Sequence, residues 1–245
     1  MPSLTVALPV YNSAPILWLA LEGLCRQEGT EDLTWELIVC EEPSSHYAGE
    51  AFFEPYRQRL AEVGCYRLVY VGIKKWVPLA EKWVQIARRA DDTDAFVLCA
   101  ADDYSYPTRL DDAATGITQG HNWLDVSKGH FLNLTTKKMA LYNHALLPQR
   151  GRGRSGLFMA TRTALAKTLP TGGPRRYVDN WMKRHIGKTK VKQFPGPLGL
   201  LTDGWNQISH GRKTMYGSRY RAPFAPPTQT VQEIVPDDVA KRLRL

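Results

Sequence analysis

Strand-like and helix-like segments alternate through the first hundred residues, and that alternation leaves few architectures open to the chain. Leu4 to Val10 (Leu-Thr-Val-Ala-Leu-Pro-Val) reads as a buried strand. Ala14 to Arg26 places Ile16, Leu17, Ala20, Leu21 and Leu24 at helical spacing. Trp35 to Cys40 is a second buried strand, Tyr47 to Val63 a helix, and Tyr66 to Val71 a third strand. Leu79 to Ala90 is an amphipathic helix with Trp83, Ile86 and Ala87 on one side, and Ala95 to Ala100 is a fourth strand. This pattern predicts an α/β fold with a doubly wound, mostly parallel sheet. Ligands of such sheets bind beyond the carboxyl ends of the strands. Tyr11-Asn12, Glu41-Glu42 and Asp102-Asp103 all fall there.

The second half is less regular. Trp123 to Leu134 holds one or two strands, and Gly156 to Leu169 reads as a strand turning into a helix. Tyr177 to Ile186 is helical with Gly187 as a stop signal. Val191 to Phe194 is a strand, which Pro195-Gly196-Pro197 is expected to break. Residues 222–230, with Pro223, Pro226 and Pro227, read as an extended linker. A short helix from Pro236-Asp237-Asp238 to Leu245 follows. The expected division is one domain over residues 1–221, with halves 1–110 and 111–221, and a Pro-rich linker and C-terminal helix over 222–245.

Asp102 and Asp103 close an apolar run, Ala95-Phe96-Val97-Leu98-Cys99-Ala100-Ala101. Adjacent carboxylates repel unless a cation lies beside them, and hard divalent cations take oxygen ligands. The alternative is a solvated turn that caps the next helix, with Pro107 near its first position.

Charge divides the molecule. Residues 150–221 carry 16 Lys or Arg against two acids, Asp179 and Asp203, a net +14 within a chain whose total is +8. The remainder is therefore acidic, and one region is a strong attractor of anions. No run of about 18 apolar residues occurs, so no transmembrane segment is expected. The N-terminus has no signal-peptide pattern. Cys25, Cys40, Cys65 and Cys99 form no CxxC pair, which argues against zinc and against a disulfide framework. A cytoplasmic location is expected, the host cytoplasm if the protein is a phage product.

In four ordered segments the chain resembles family 2 glycosyltransferases of GT-A fold. Val6-Ala7-Leu8-Pro9-Val10-Tyr11-Asn12 is similar to that family's opening strand, which ends in Pro-x-Tyr-Asn. Glu36 to Ser44 resembles its second strand, which ends in paired acids, Gly and Ser. Leu79-Ala80-Glu81-Lys82-Trp83 resembles a helix start that often carries Lys-x-Asn, and Phe96 to Leu110 resembles the metal-binding segment. Further on, Tyr177-Val178-Asp179-Asn180-Trp181 resembles the Glu-Asp base site, and Ile208 to Arg212 resembles a late His segment. The chain departs from the pattern in four places. Ala100 or Ala101 stands where Asp-x-Asp has its first acid, Glu-Glu replaces Asp-Asp, Trp83 replaces Asn, and Val178 replaces the acid before Asp179.

The resemblance implies a Rossmann-like nucleotide-sugar half, a less regular acceptor half, and a metal-dependent, inverting transfer of a sugar from a nucleotide sugar to an acceptor hydroxyl. Pro9, Tyr11, Asn12, Glu41, Glu42, Lys82 and Asp102 would bind the donor, a UDP-sugar in preference to a GDP-sugar. Asp102, Asp103 and His210 would hold Mn2+ or Mg2+, which suit such a hard site. Asp179 would be the general base, kept ionised by Arg175, Arg176, Lys183 and Arg184.

The acceptor half interleaves its cations with Phe158, Tyr177, Trp181, Trp205, Tyr216 and Tyr220. Cations for phosphates and aromatics for bases are the footprint of nucleic-acid binding. Arg152, Arg154, Arg175, Arg176, Trp181 and Lys183 are thus the expected contacts to a polyanionic acceptor. Its sharpest form is DNA bearing a hydroxymethylated base, as in phage DNA modification, with the base flipped out to reach the sugar. A glycan or lipid-linked saccharide acceptor is the alternative. So is a degenerate GT-A domain that only binds nucleic acid.

Overall fold

The computed structural model describes residues 1–134, 137–143, 157–168, 191–203, 224–225 and 229–244. Ten strands form one sheet: β1 Ser3–Val10, β2 Thr34–Glu41, β3 Cys65–Gly72, β4 Ala95–Leu98, β5 Tyr104–Ser105, β6 Trp123–Asn133, β7 Met139–Asn143, β8 Leu157–Thr161, β9 Val191–Asp203 and β10 Phe224–Ala225. The helices among the described residues are α1 Ala14–Leu24, α2 Glu54–Glu62, α3 Leu79–Ala87, α4 Arg109–Thr118, α5 Arg162–Thr168 and α6 Asp237–Arg242. The order across the sheet is β10-β7-β6-β8-β4-β1-β2-β3. β3, β2, β1 and β4 are parallel, and β8, β6, β7 and β10 continue antiparallel. β9 lies parallel to β6 and pairs with β5.

Side-chain alternation builds the layers. In β1, Leu4, Val6, Leu8 and Val10 face one core while Ala7 faces the other. Leu37 and Val39 oppose Ile38 and Cys40 in β2, and Ala95 and Val97 oppose Phe96 and Leu98 in β4. The first core is covered by α1, α2, α4 and α6 through Leu17, Leu21, Leu60, Leu110 and Val239. The second is covered by α3 and α5 through Ala80, Trp83, Ile86 and Leu165. Strands buried on both faces are what a doubly wound sheet requires. Each fully buried Leu or Val stabilises this arrangement by about 1.5–3 kcal/mol.

Several boundaries differ from the sequence reading. The segment 47–63 is not one helix. Gly49 has φ 74°, a short 3₁₀ turn spans Glu50–Phe53, and α2 begins only at Glu54. Pro195-Gly196-Pro197 does not end a strand. β9 runs through it to Asp203, and shifts of register against β6 on either side of Lys128 accommodate it, bulges being where a sheet tolerates a proline. Within the expected linker, Phe224–Ala225 adds a strand to β7. The C-terminal segment then packs Val231, Val235, Val239, Ala240 and Leu243 into the first core. Arg242 lies 4.0 Å from the Trp18 ring centroid, and Arg26 Nη2 meets Asp238 Oδ2 at 2.6 Å. The expected helix 177–186 lies outside the described residues.

Gly23 is where α1 crosses β5. A Cβ there would sit 2.5 Å from the Ser105 amide nitrogen and 2.8 Å from its carbonyl oxygen. Both are backbone atoms, so neither can rotate away. Gly23→Ala is expected to cost about 1–3 kcal/mol, read as a lower urea midpoint with unchanged slope. A midpoint equal to that of the parent would contradict this packing.

Candidate active site at the carboxyl edge of the sheet

Parallel pairing of Val10 with Glu41 and of Ala7 with Leu98 brings the ends of β1, β2 and β4 to one edge. Winding reverses here, since β2 and β3 lie to one side of β1 and β4 to the other. The crevice at such a reversal is where doubly wound sheets bind ligands.

Asn12 leaves β1 with φ 55°, a left-handed conformation that Asn tolerates better than most residues. It is buried, and its Oδ1 accepts from Ser45 Oγ (2.8 Å) and from the His46 amide (3.1 Å). Ser44 Oγ in turn accepts from the Asn12 amide at 3.1 Å. Glu41, fully buried, accepts from the amides of Ala48 (2.8 Å) and Gly49 (2.9 Å) and from the Tyr70 hydroxyl (2.8 Å). The Tyr47 and Tyr70 hydroxyls lie 2.5 Å apart. Burial and these partners push the Tyr70 phenol well above its ordinary value. Together Asn12 and Glu41 hold the 44–49 loop as one wall of the crevice.

Glu42 and Lys82 form a second internal constellation. Lys82 Nζ lies 2.5 Å from Glu42 Oε1, donates to the Val10 carbonyl at 3.0 Å, and sits 5.3 Å from the Tyr11 ring centroid. Glu42 Oε2 accepts from the Val77 amide at 2.7 Å. Both charges are buried, Lys82 4% exposed and Glu42 1%. Burial pulls the Lys82 ammonium below its ordinary value, and Glu42 opposes that shift. Lys82 therefore ties α3 to the ends of β1 and β2 and carries Tyr11 on its charge.

Asp102 and Asp103 occupy the turn after β4, Asp102 buried and Asp103 half-buried. Arg109 Nη2 donates to the Leu98 carbonyl at 2.6 Å and anchors α4 under that turn. Two adjacent carboxylates are a fitting start for a hard divalent cation. Among the described residues no group of three His, Cys, Asp or Glu side chains could hold a metal. Asp179, His210, Arg152, Arg154, Arg175, Arg176, Trp181 and Lys183 lie outside the described residues.

Sequence reasoning missed the loop-holding role of Ser44, Ser45 and His46, for which the only signal was their place after the paired acids. It also missed the part-buried contact between the Tyr106 hydroxyl and His130 Nδ1 (2.5 Å), which joins two segments 24 residues apart.

With this geometry in view, solved structures provide the comparison. TarS of S. aureus in complex with UDP superposes with a TM-score of 0.62 at 18% identity, over 82% of this chain and 60% of that one. TarS 1-349 in complex with UDP-GlcNAc gives a TM-score of 0.62 at 17% identity, over 82% and 58%. The mannosyltransferase PcManGT from Pyrobaculum calidifontis, in complex with GDP-Man and Mn2+, gives 0.55 at 16% identity, over 82% and 56%. The chain has a GT-A-type fold. It spans less than two thirds of the length of these neighbours. It matches no protein-family model and no curated protein sequence. No described helix is long and apolar enough to cross a membrane.

Proposed function

We propose that the protein is a glycosyltransferase that moves a sugar from a nucleotide diphosphate sugar to a hydroxyl of a polyanionic acceptor. One observation carries the proposal: in a GT-A-type sheet, Tyr11-Asn12, Glu41-Glu42 and Asp102-Asp103 converge at the carboxyl edge where winding reverses. The bound metal would be held by Asp102 and Asp103, and it supplies electrostatic stabilisation of the leaving diphosphate. Tyr11 would border the nucleotide. Asn12 and Glu41 position the loop beside it, and Lys82 with Glu42 fixes the floor. Asp179 would accept the acceptor hydroxyl proton as the new C–O bond forms at the anomeric carbon. The anomeric C–O bond to phosphate breaks, and its electron pair leaves with the nucleoside diphosphate.

The net +14 of residues 150–221 favours a phosphate-rich acceptor, and DNA with a hydroxymethylated base is the form we favour. The donor we favour is a UDP-sugar, the ion Mn2+ or Mg2+, and the setting the cytoplasm. The test is mass spectrometry of hydroxymethylated DNA incubated with Mn2+ and a panel of UDP- and GDP-sugars. A gain of one sugar mass per modified base is expected with at least one donor. No gain with any donor, alongside sugar transfer to a glycan, would move the acceptor to the saccharide class. Absence of both transfer and donor hydrolysis would overturn the enzyme.

A further inference from the structure

We propose that Tyr106 and His130 are positioning residues for the metal–diphosphate site, their hydrogen bond setting the turn that carries Asp102 and Asp103. The inference rests on the reading of that turn as the metal site.

His130, in β6, is 1% exposed, and its Nδ1 lies 2.5 Å from the Tyr106 hydroxyl. The two ring centroids are 6.1 Å apart. Burial pulls the imidazole below its ordinary value and pushes the Tyr106 phenol above its own, so both groups are neutral near pH 7. A neutral imidazole has one N–H and one lone pair. With Nδ1 engaged by Tyr106, Nε2 is buried and has no hydrogen-bond partner among the described residues, whichever nitrogen holds the proton. An orphaned buried nitrogen lowers stability, whereas two apolar side chains of the same shape would not. The fold therefore keeps the less stable pair, and a buried polar group of this kind calls for a role other than stability.

The place of the pair supplies that role. β6 sets His130 beside Leu200 of β9, and β5 sets Tyr104 beside the same residue. His130 is thus level with the first residue after Asp102-Asp103. β5 pairs over two residues alone, a short ladder for a turn that must hold two like charges in place. Tyr106 is the next fixed point along the chain. Its carbonyl accepts from Gln27 Nε2 at 2.9 Å and from the Arg109 amide at 3.1 Å, which ties it to the segment after α1 and to the start of α4. Its hydroxyl reaches across to β6. The bond spans residues 1–110 and 111–221, with Asp103 three residues upstream of it. A metal site about 1 Å too loose loses its function, so its carboxylates need support from behind.

The experiment is calorimetric titration of UDP and GDP, with Mn2+, into the parent, Tyr106→Phe, His130→Asn, and Tyr106→Phe with His130→Leu, alongside urea denaturation of each. The double variant removes both polar partners, and its urea midpoint is expected at or above that of the parent. Its Mn2+-dependent nucleotide affinity is nonetheless expected to fall about tenfold, the lower end of what lost support does to a metal site. Tyr106→Phe removes a single oxygen and is expected to show the same loss, so the test survives a double variant that does not fold. His130→Asn keeps a hydrogen-bonding group where Nδ1 stood and is expected to retain most of the affinity. Parent-like affinity in Tyr106→Phe or in a folded double variant overturns the role and leaves the metal site standing. A loss that His130→Asn shares in full marks a structural part only and overturns it as well. A parent that binds neither nucleotide with Mn2+ removes the metal site, and this role with it.

Discussion

Replacing Asp102 with alanine will lower glycosyl transfer by about a thousandfold or more. In the proposed mechanism the leaving diphosphate would carry its charge at the turn after β4. A metal clamp on such a group is worth several kcal/mol, and about 4 kcal/mol corresponds to three orders of magnitude in rate. Asp102→Asn will do nearly the same, since the amide keeps the shape and one acceptor oxygen but loses the charge. Asp32→Ala is the control. Asp32 is an exposed aspartate in the α1–β2 connection, at the opposite edge of the sheet. Its variant will turn over like the parent. Steady-state kinetics with saturating Mn2+ decide the matter, and an Asp102→Ala enzyme within tenfold of the parent would remove the turn from the mechanism.

Lys82→Ala will destabilise the fold by about 3–5 kcal/mol. The lysine is 4% exposed and its partner Glu42 1%, so truncation strands a carboxylate in a dry interior. It also leaves the Val10 carbonyl without its 3.0 Å donor. For a chain of this size the melting temperature should fall by about 10 °C. Replacing both partners, Lys82→Met with Glu42→Leu, will recover part of the loss, because no charge is then left unpaired. Recovery will be incomplete, since the Val77 amide loses its acceptor. Urea denaturation of the two variants reads all of this. A single variant within 1 kcal/mol of the parent, a bound well below the range above, would mean that the pair is solvated and not structural.

The halves of the chain were unequally legible. β1 to β4 and the helices between them announce themselves through apolar runs and helical spacing. Their parallel order follows from alternation alone, and with it the position of Asn12, Glu41 and Asp102 at one edge. The roles of those side chains were not legible. Glu41 and Glu42 look alike in sequence, and both read as donor contacts. In the structure Glu41 holds the amides of Ala48 and Gly49, and Glu42 holds Lys82, 40 residues away. Lys82, also read as a donor contact, lies in the interior against Glu42. Partners that distant leave no periodic trace. Gly49 carried a weak signal for the turn before Glu50, and Pro55 in the first turn of α2 a signal for the helix start at Glu54. β9 shows the opposite failure. Proline was given its local meaning as a breaker, but pairing with β6 absorbed it through shifts of register. β10 and the C-terminal core residues were hidden because Pro-rich composition resembles a linker until its few apolar residues find a core.

The central claim is that the aspartates after β4 and the loop held by Asn12 and Glu41 together bind a metal–nucleotide diphosphate. Calorimetric titration of UDP and of GDP into the protein tests it most directly, with Mn2+ present, with EDTA present, and with Asp102→Ala. The account predicts saturable binding of at least one nucleotide that requires Mn2+ and disappears in the variant. Binding that is indifferent to both Mn2+ and Asp102, or no nucleotide binding at all, would contradict it.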